Sequence, residues 1–117
     1  MEYAHRTDGE LLHVTDETFE DVVIRSALPV LVDFYADWCA PCRVAEPVLA
    51  QISRNLAGRV KFAKVNVDES GAVAQSYGIT SIPTYLFVAG GREKGRELGL
   101  VAPTEFRTVL KRYFEFV

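Results

Sequence analysis

Two cysteines, one tryptophan and one methionine are all that the 117 residues hold of those types. Two cysteines only three positions apart cannot build the multi-bridge framework that holds small secreted domains together. No apolar run exceeds about five residues, far short of the roughly 20 that a membrane-crossing helix needs, so no membrane partner is expected. Neither sign of charge dominates: 13 Lys and Arg stand against 16 Asp and Glu, interspersed, for a net charge of −3. Without a broad basic face, nucleic acid is not an expected partner either. Repeats and low-complexity tracts are also lacking. The first ten residues, Met1 to Glu10, are polar and charged with no apolar core. They read as a polar leader rather than a secretory signal, which makes a cytoplasmic location the expectation unless a leader has been removed.

What is present is an ordinary globular composition, 49% hydrophobic and 25% charged, in a length that suits one domain over residues 11–117. Leu11 to Thr15 reads as a short strand. Asp16 then stands as a helix N-cap before Phe19, Val22, Val23 and Ser26, whose spacing predicts a helix over 17–26. Val30 to Ala36 is β-branched and aromatic without clean alternation, the pattern of a strand covered on both faces. From Pro41 the apolar period changes, and Ala45, Val48, Leu49, Ile52 and Leu56 form one helical stripe. Pro41 suits a first turn, Pro47 should kink the helix, and Gly58 closes it. Val60 to Val67 is the next strand, completing a βαβ unit. A short helix is expected over 70–77. Two strands, Thr84 to Val88 and Arg92 to Leu98, flank Gly90-Gly91 as a hairpin. Pro103 opens a last helix with Phe106, Val109, Leu110, Tyr113 and Val117 on its apolar stripe. The whole reads as an α/β domain.

The stretch Trp38-Cys39-Ala40-Pro41-Cys42-Arg43 falls between the doubly covered strand and the long helix. Cysteines at i and i+3 on one helix face have Cβ atoms about 5–6 Å apart, slightly more than a disulfide prefers, so a small adjustment could close the bond. Unpaired N–H groups at the helix start favour a thiolate. Cys39 should feel them most and be the exposed attacker, with Cys42 one turn inside as the resolving thiol. The pair could instead be packed small hydrophobes, or half of a zinc site completed by His5 or His13, although structural zinc wants four ligands. A redox dithiol is preferred because of the strand before it, the proline within it and the βαβ unit around it.

The segment from Val32 to Arg43 closely resembles the active-site segment of thioredoxins. The similarity continues at Pro47, at Ala63 to Asp68, at Tyr77 to Thr84 and at Gly90-Gly91, covering about residues 11–116. It implies a thioredoxin fold, a central five-stranded mixed sheet flanked by four helices. It also implies a cis peptide bond before Pro83, facing the cysteines; only about 5–6% of X–Pro bonds in folded proteins are cis, so spacing alone could not give this. Ile82 would then offer its backbone to an extended substrate, with Trp38, Pro41, Gly99 and Leu100 as an apolar rim and Ala40 between the sulfurs. Trp38 could equally be a core residue, and Gly99 no more than a turn requirement.

Asp33 lies inside the buried strand, where an exposed edge position is the common alternative. Burial raises the pKa of a carboxyl, the preparation of a general acid or base. By resemblance Asp33 would take the proton of Cys42, with Lys64 as its electrostatic partner. The resemblance further implies a protein disulfide reductase, here a monomer with no bound cofactor, supplied with electrons from NADPH by a thioredoxin reductase and acting on disulfide-containing target proteins. Ala40 stands where the family most often has Gly, Arg43 where it has Lys and Tyr35 where it commonly has Trp, so the reduction potential is not implied. A disulfide oxidase or isomerase, or a binding module in a larger complex, remains an alternative.

Overall fold

The chain between Pro29 and Asp37 is the middle of the sheet because it has no polar side to give to water. In a computed structural model that describes residues 10–115, Val30–Tyr35 forms strand β2, buried along nearly its whole length. Residues 1–9 of the expected leader, His5 among them, and the Val117 position of the last stripe lie outside the described residues. Alternate side chains of β2 enter two cores. Val30, Val32 and Phe34 pack with Phe19, Val22, Val23, Val73 and Leu86, while Leu31 packs on the other face with Ala45, Leu49, Phe62, Phe87 and Phe106. Each fully buried aliphatic or aromatic side chain contributes about 1.5–3 kcal/mol, so both faces of one strand anchor the domain.

Around β2 lie β1 (Leu11–His13), β3 (Lys61–Asn66), β4 (Thr84–Ala89) and β5 (Arg92–Leu98), in the order β1-β3-β2-β4-β5. β1 and β2 run parallel to β3, and β4 runs antiparallel to β2 and β5. The helices are a π-helical segment (Glu20–Ile24), α1 (Ala40–Asn55), α2 (Gly71–Ser76) and α3 (Phe106–Tyr113), the last entered through a 3₁₀ turn at Pro103–Glu105. Among the described residues this is a mixed five-stranded sheet with four helices. The hairpin between β4 and β5 turns on Gly90 and Gly91, whose φ values of 59° and 77° are the left-handed pair that a tight two-residue loop demands.

Several local expectations are corrected. β1 stops at His13 rather than Thr15, because Thr15 N–H turns back to the Thr18 hydroxyl at 2.9 Å. The helix expected over 17–26 contracts to the five-residue π-helical segment, although Phe19, Val22 and Val23 are buried as the spacing predicts. Asp16 does not cap it. Its carboxylate accepts instead from Val73 N–H at 2.9 Å and Ala72 N–H at 3.4 Å, capping α2 from 57 residues away. Asn55 is the last residue of the long helix and Leu56 its C-cap, so the left-handed Gly58 (φ 83°) falls one position later than the expected C′ glycine. The interior position expected for Pro47 holds, since it lies within α1.

Since α2 has only six residues, the borrowed cap is a large part of what fixes its start. Asp16→Ala should lower the unfolding free energy by about 0.5–2 kcal/mol, with Asp16→Asn retaining most of it. Urea unfolding measures this, and an unchanged midpoint for Asp16→Ala would contradict the capping role.

Candidate active site

β2 ends at Tyr35 and α1 begins at Ala40, so four residues turn the chain from the sheet into the helix. Cys39 N–H bonds the Ala36 carbonyl at 3.2 Å, and the Arg43 guanidinium donates to the Asp37 carbonyl, closing the turn from both ends. Cys39 has extended backbone (φ −87°, ψ 107°) and is the N-cap of α1, rather than a residue on the helix face as its spacing suggests. Its Sγ accepts the N–H of Cys42 at 3.3 Å, a sulfur in the place a serine or aspartate oxygen usually takes. That geometry brings the two Cα atoms to 5.3 Å, and the cysteines are joined as a disulfide. Pro41, at the second helical position, has no N–H to leave unpaired there.

Cys39 is not the exposed member of the pair in this oxidised form. It is 4% exposed and Cys42 3%, because both pack with Ala36 against Tyr35, Val67 and Ile82. Trp38 is 68% exposed, which excludes core packing, and its indole N–H donates to Asp68 at 2.8 Å. Trp38 forms one wall of a cleft of about 200 Å³ completed by Val67, Ile79, Thr80, Ser81 and Ile82. Of these, only Trp38 and Ile82 stand out in the sequence. Ile82–Pro83 is cis, as the resemblance implies. Gly99 N–H bonds the Pro83 carbonyl at 2.8 Å, which brings Gly99 and the exposed Leu100 to the same end of the sheet. Gly99 has φ 83°, so the turn also requires glycine for its backbone.

Asp33 is 4% exposed, not an edge residue, and its Oδ1 has no hydrogen-bond partner among the described residues. Its register neighbours are Lys64 on β3 and Tyr85 on β4. Burial, then the Glu46 carboxylate, push its pKa up to about 7 from the ordinary 3.8, against a smaller opposing effect of Lys64. Lys64 is not in contact with it: the ammonium pairs with Glu46 at 3.3 Å and lies 5.3 Å from the Tyr35 ring centroid. Glu46 is the charged residue that sequence reasoning missed. Its position four residues after Cys42, on the same face of α1, was the available signal. Tyr85 is fully buried, and burial also drives its phenol pKa upward.

Among the described residues, no group of three or more His, Cys, Asp or Glu could hold a metal ion, and His13 bonds Glu69 at 2.7 Å rather than approaching the cysteines. No helix of the described residues is long and apolar enough to cross a membrane. The pair is thus a closed dithiol at a helix start, and its chemistry is thiol–disulfide exchange.

The family model described as Thioredoxin matches residues 10–112. The chain is 38% identical over 105 residues to "Thioredoxin" of Haemophilus influenzae, covering 90% of this chain and 98% of that protein. It is 44% identical over 100 residues to "Thioredoxin 1" of Nostoc sp., covering 86% and 94%. Against "Thioredoxin" of Rickettsia bellii it is 47% identical over 88 residues, covering 75% and 84%.

The raised Asp33 pKa fixes a stability trend. The folded protein holds this proton up to about pH 7 while the unfolded chain releases it near 3.8, so Asp33 costs stability progressively across that window. Asp33→Asn should therefore stabilise the oxidised protein by on the order of 2–4 kcal/mol at pH 8, with the gain vanishing near pH 4. Urea unfolding at the two pH values checks it, and a pH-independent difference would contradict it.

Proposed function

Because the chain belongs to the thioredoxin family, we propose that its reductase chemistry runs with Cys39 as the attacking thiol and Cys42 as the resolving one. The chain is a protein disulfide reductase whose redox-active pair is Cys39 and Cys42. The observation that supports the division of labour is the cap: the Cys39 sulfur, at the start of α1, accepts the Cys42 N–H, so a thiolate there keeps a hydrogen bond and the helix dipole.

The Cys39 thiolate attacks one sulfur of a target disulfide. That S–S bond breaks, the other target sulfur leaves as a thiolate, and a Cys39–target mixed disulfide forms. Cys42 gives its proton to the Asp33 carboxylate and attacks the Cys39 sulfur, releasing the second target thiolate. The target gains two electrons and the pair returns to the disulfide. A carboxyl titrating near pH 7 is matched to accept this proton at neutral pH. Lys64 steadies the charge beside it as the partner of Glu46 rather than by direct contact with Asp33.

The extended target segment lies across Trp38, Ala40 and Pro41 on one side and Ile82, Pro83, Gly99 and Leu100 on the other. Ile82 precedes β4, which starts at Thr84, so its backbone groups fall outside the strand ladder and are open to pair with a target strand. The pair is reduced again by a thioredoxin reductase drawing on NADPH, in electron transport within the cytoplasm. The working unit is a monomer, with residues 11–117 as the domain and 1–10 as a polar leader.

Reduction of insulin by dithiothreitol tests this reading. The wild type should accelerate it, Cys39→Ser should abolish the acceleration, and Cys42→Ser should accumulate a mixed disulfide at Cys39. A wild type no faster than background would overturn it. Asp33→Asn should slow target release about a hundredfold or more at pH 7; an unchanged rate across neutral pH would remove Asp33 from the mechanism.

A further inference from the structure

Asp33 lacks a counter-ion at contact distance although a lysine is its register partner. Lys64 stands opposite it across the β2–β3 ladder. The Lys64 ammonium is nevertheless drawn to Glu46 Oε2 at 3.3 Å and over the Tyr35 ring, and among the described residues no ion pair joins it to Asp33. Glu46 belongs to α1, one turn beyond Cys42, so its carboxylate reaches from the helix to the sheet beside the reacting pair. The Glu46 side chain is 47% exposed and that of Lys64 24%, which places their ion pair at the border between water and the buried carboxyl.

We propose that Glu46 is a positioning residue for the resolving step: by holding the Lys64 ammonium it keeps that cation off Asp33, leaving the buried carboxyl uncompensated and ready to take a proton from Cys42. The proposal rests on the reading of Asp33 as proton acceptor. The groups that face Asp33 can be named. β3 supplies Lys64, β4 supplies the buried phenol of Tyr85, and α1 supplies Glu46. α3 contributes Phe106, packed edge-on against the Tyr85 ring and without charge. Lys64 is the one cation in this set, and what holds it decides how strongly the Asp33 anion is stabilised. Burial and Glu46 both act on Asp33 more strongly than Lys64 does, although Lys64 is its register neighbour.

Glu46→Gln releases the ammonium and removes a negative charge while leaving a half-exposed residue of similar size, so the fold is retained. Carbon-13 NMR of the Asp33 carboxyl should show its midpoint falling by about one pH unit in Glu46→Gln, within the range an opposite charge produces. The pH profile of target release from the Cys39 mixed disulfide should move down with it. Glu46→Asp, which keeps the charge, should restore much of the wild-type midpoint. In a Lys64→Met background there is no cation to release, so the effect of Glu46→Gln should shrink to less than half. An unchanged Asp33 midpoint in Glu46→Gln would overturn the proposal, as would a full-sized shift in the Lys64→Met background. Failure of the underlying reading shows separately, as a release rate that Asp33→Asn leaves untouched while the NMR midpoint still responds to Glu46.

Discussion

A sulfur atom caps the helix that carries it. The bond from Cys42 N–H to Cys39 Sγ is where the fold and the chemistry meet, since the geometry that starts α1 also sets the two sulfurs at bonding range. A helix start leaves several N–H groups without partners, and here one of them is satisfied by the sulfur proposed to carry negative charge. The preceding turn is held by Cys39 N–H on the Ala36 carbonyl and by Arg43 on the Asp37 carbonyl, so the sulfurs have little freedom to drift. Everything upstream serves this placement: β2 is buried on both faces, hence rigid, and α1 leaves from its end.

The central strand carries a group that works against the stability of the fold. Asp33 occupies a position where an apolar residue would be expected, between Val32 and Phe34 in a strand that delivers hydrophobic side chains to two cores. The surroundings do little to neutralise it. Among the described residues Oδ1 has no hydrogen-bond partner, the facing phenol of Tyr85 is buried with none for its hydroxyl, and the lysine alongside is engaged by Glu46. A fold tuned for stability alone would not keep such a carboxyl, and the proton-accepting role proposed for Asp33 accounts for its presence.

Much of this was legible in the sequence because it is local. The change of apolar period at Pro41, the doubly covered run at Val30 and the Gly90-Gly91 turn depend on neighbours along the chain, and the structure has them within a residue or two. The cis bond at Pro83 came through the family resemblance, since no spacing rule encodes it. What escaped is what the tertiary fold brings together. Asp16 caps a helix 57 residues away instead of the next one, because its carboxylate meets the start of α2 only after β1 and β3 pair. Lys64 chooses Glu46 over Asp33 because α1 crosses above it, a choice invisible to strand register. Cys39 reads as exposed from its position at the helix start, yet Val67 and Ile82 close over the pair.

The central claim is that the helix start makes Cys39, and not Cys42, the nucleophile. Brief iodoacetamide labelling of the fully reduced protein across pH, followed by peptide mapping, addresses it directly. The account predicts that alkylation near pH 7 falls on Cys39 alone, with a midpoint well below the ordinary thiol value of about 8.5. Labelling that falls first on Cys42, or a Cys39 that titrates like a free thiol, would contradict it.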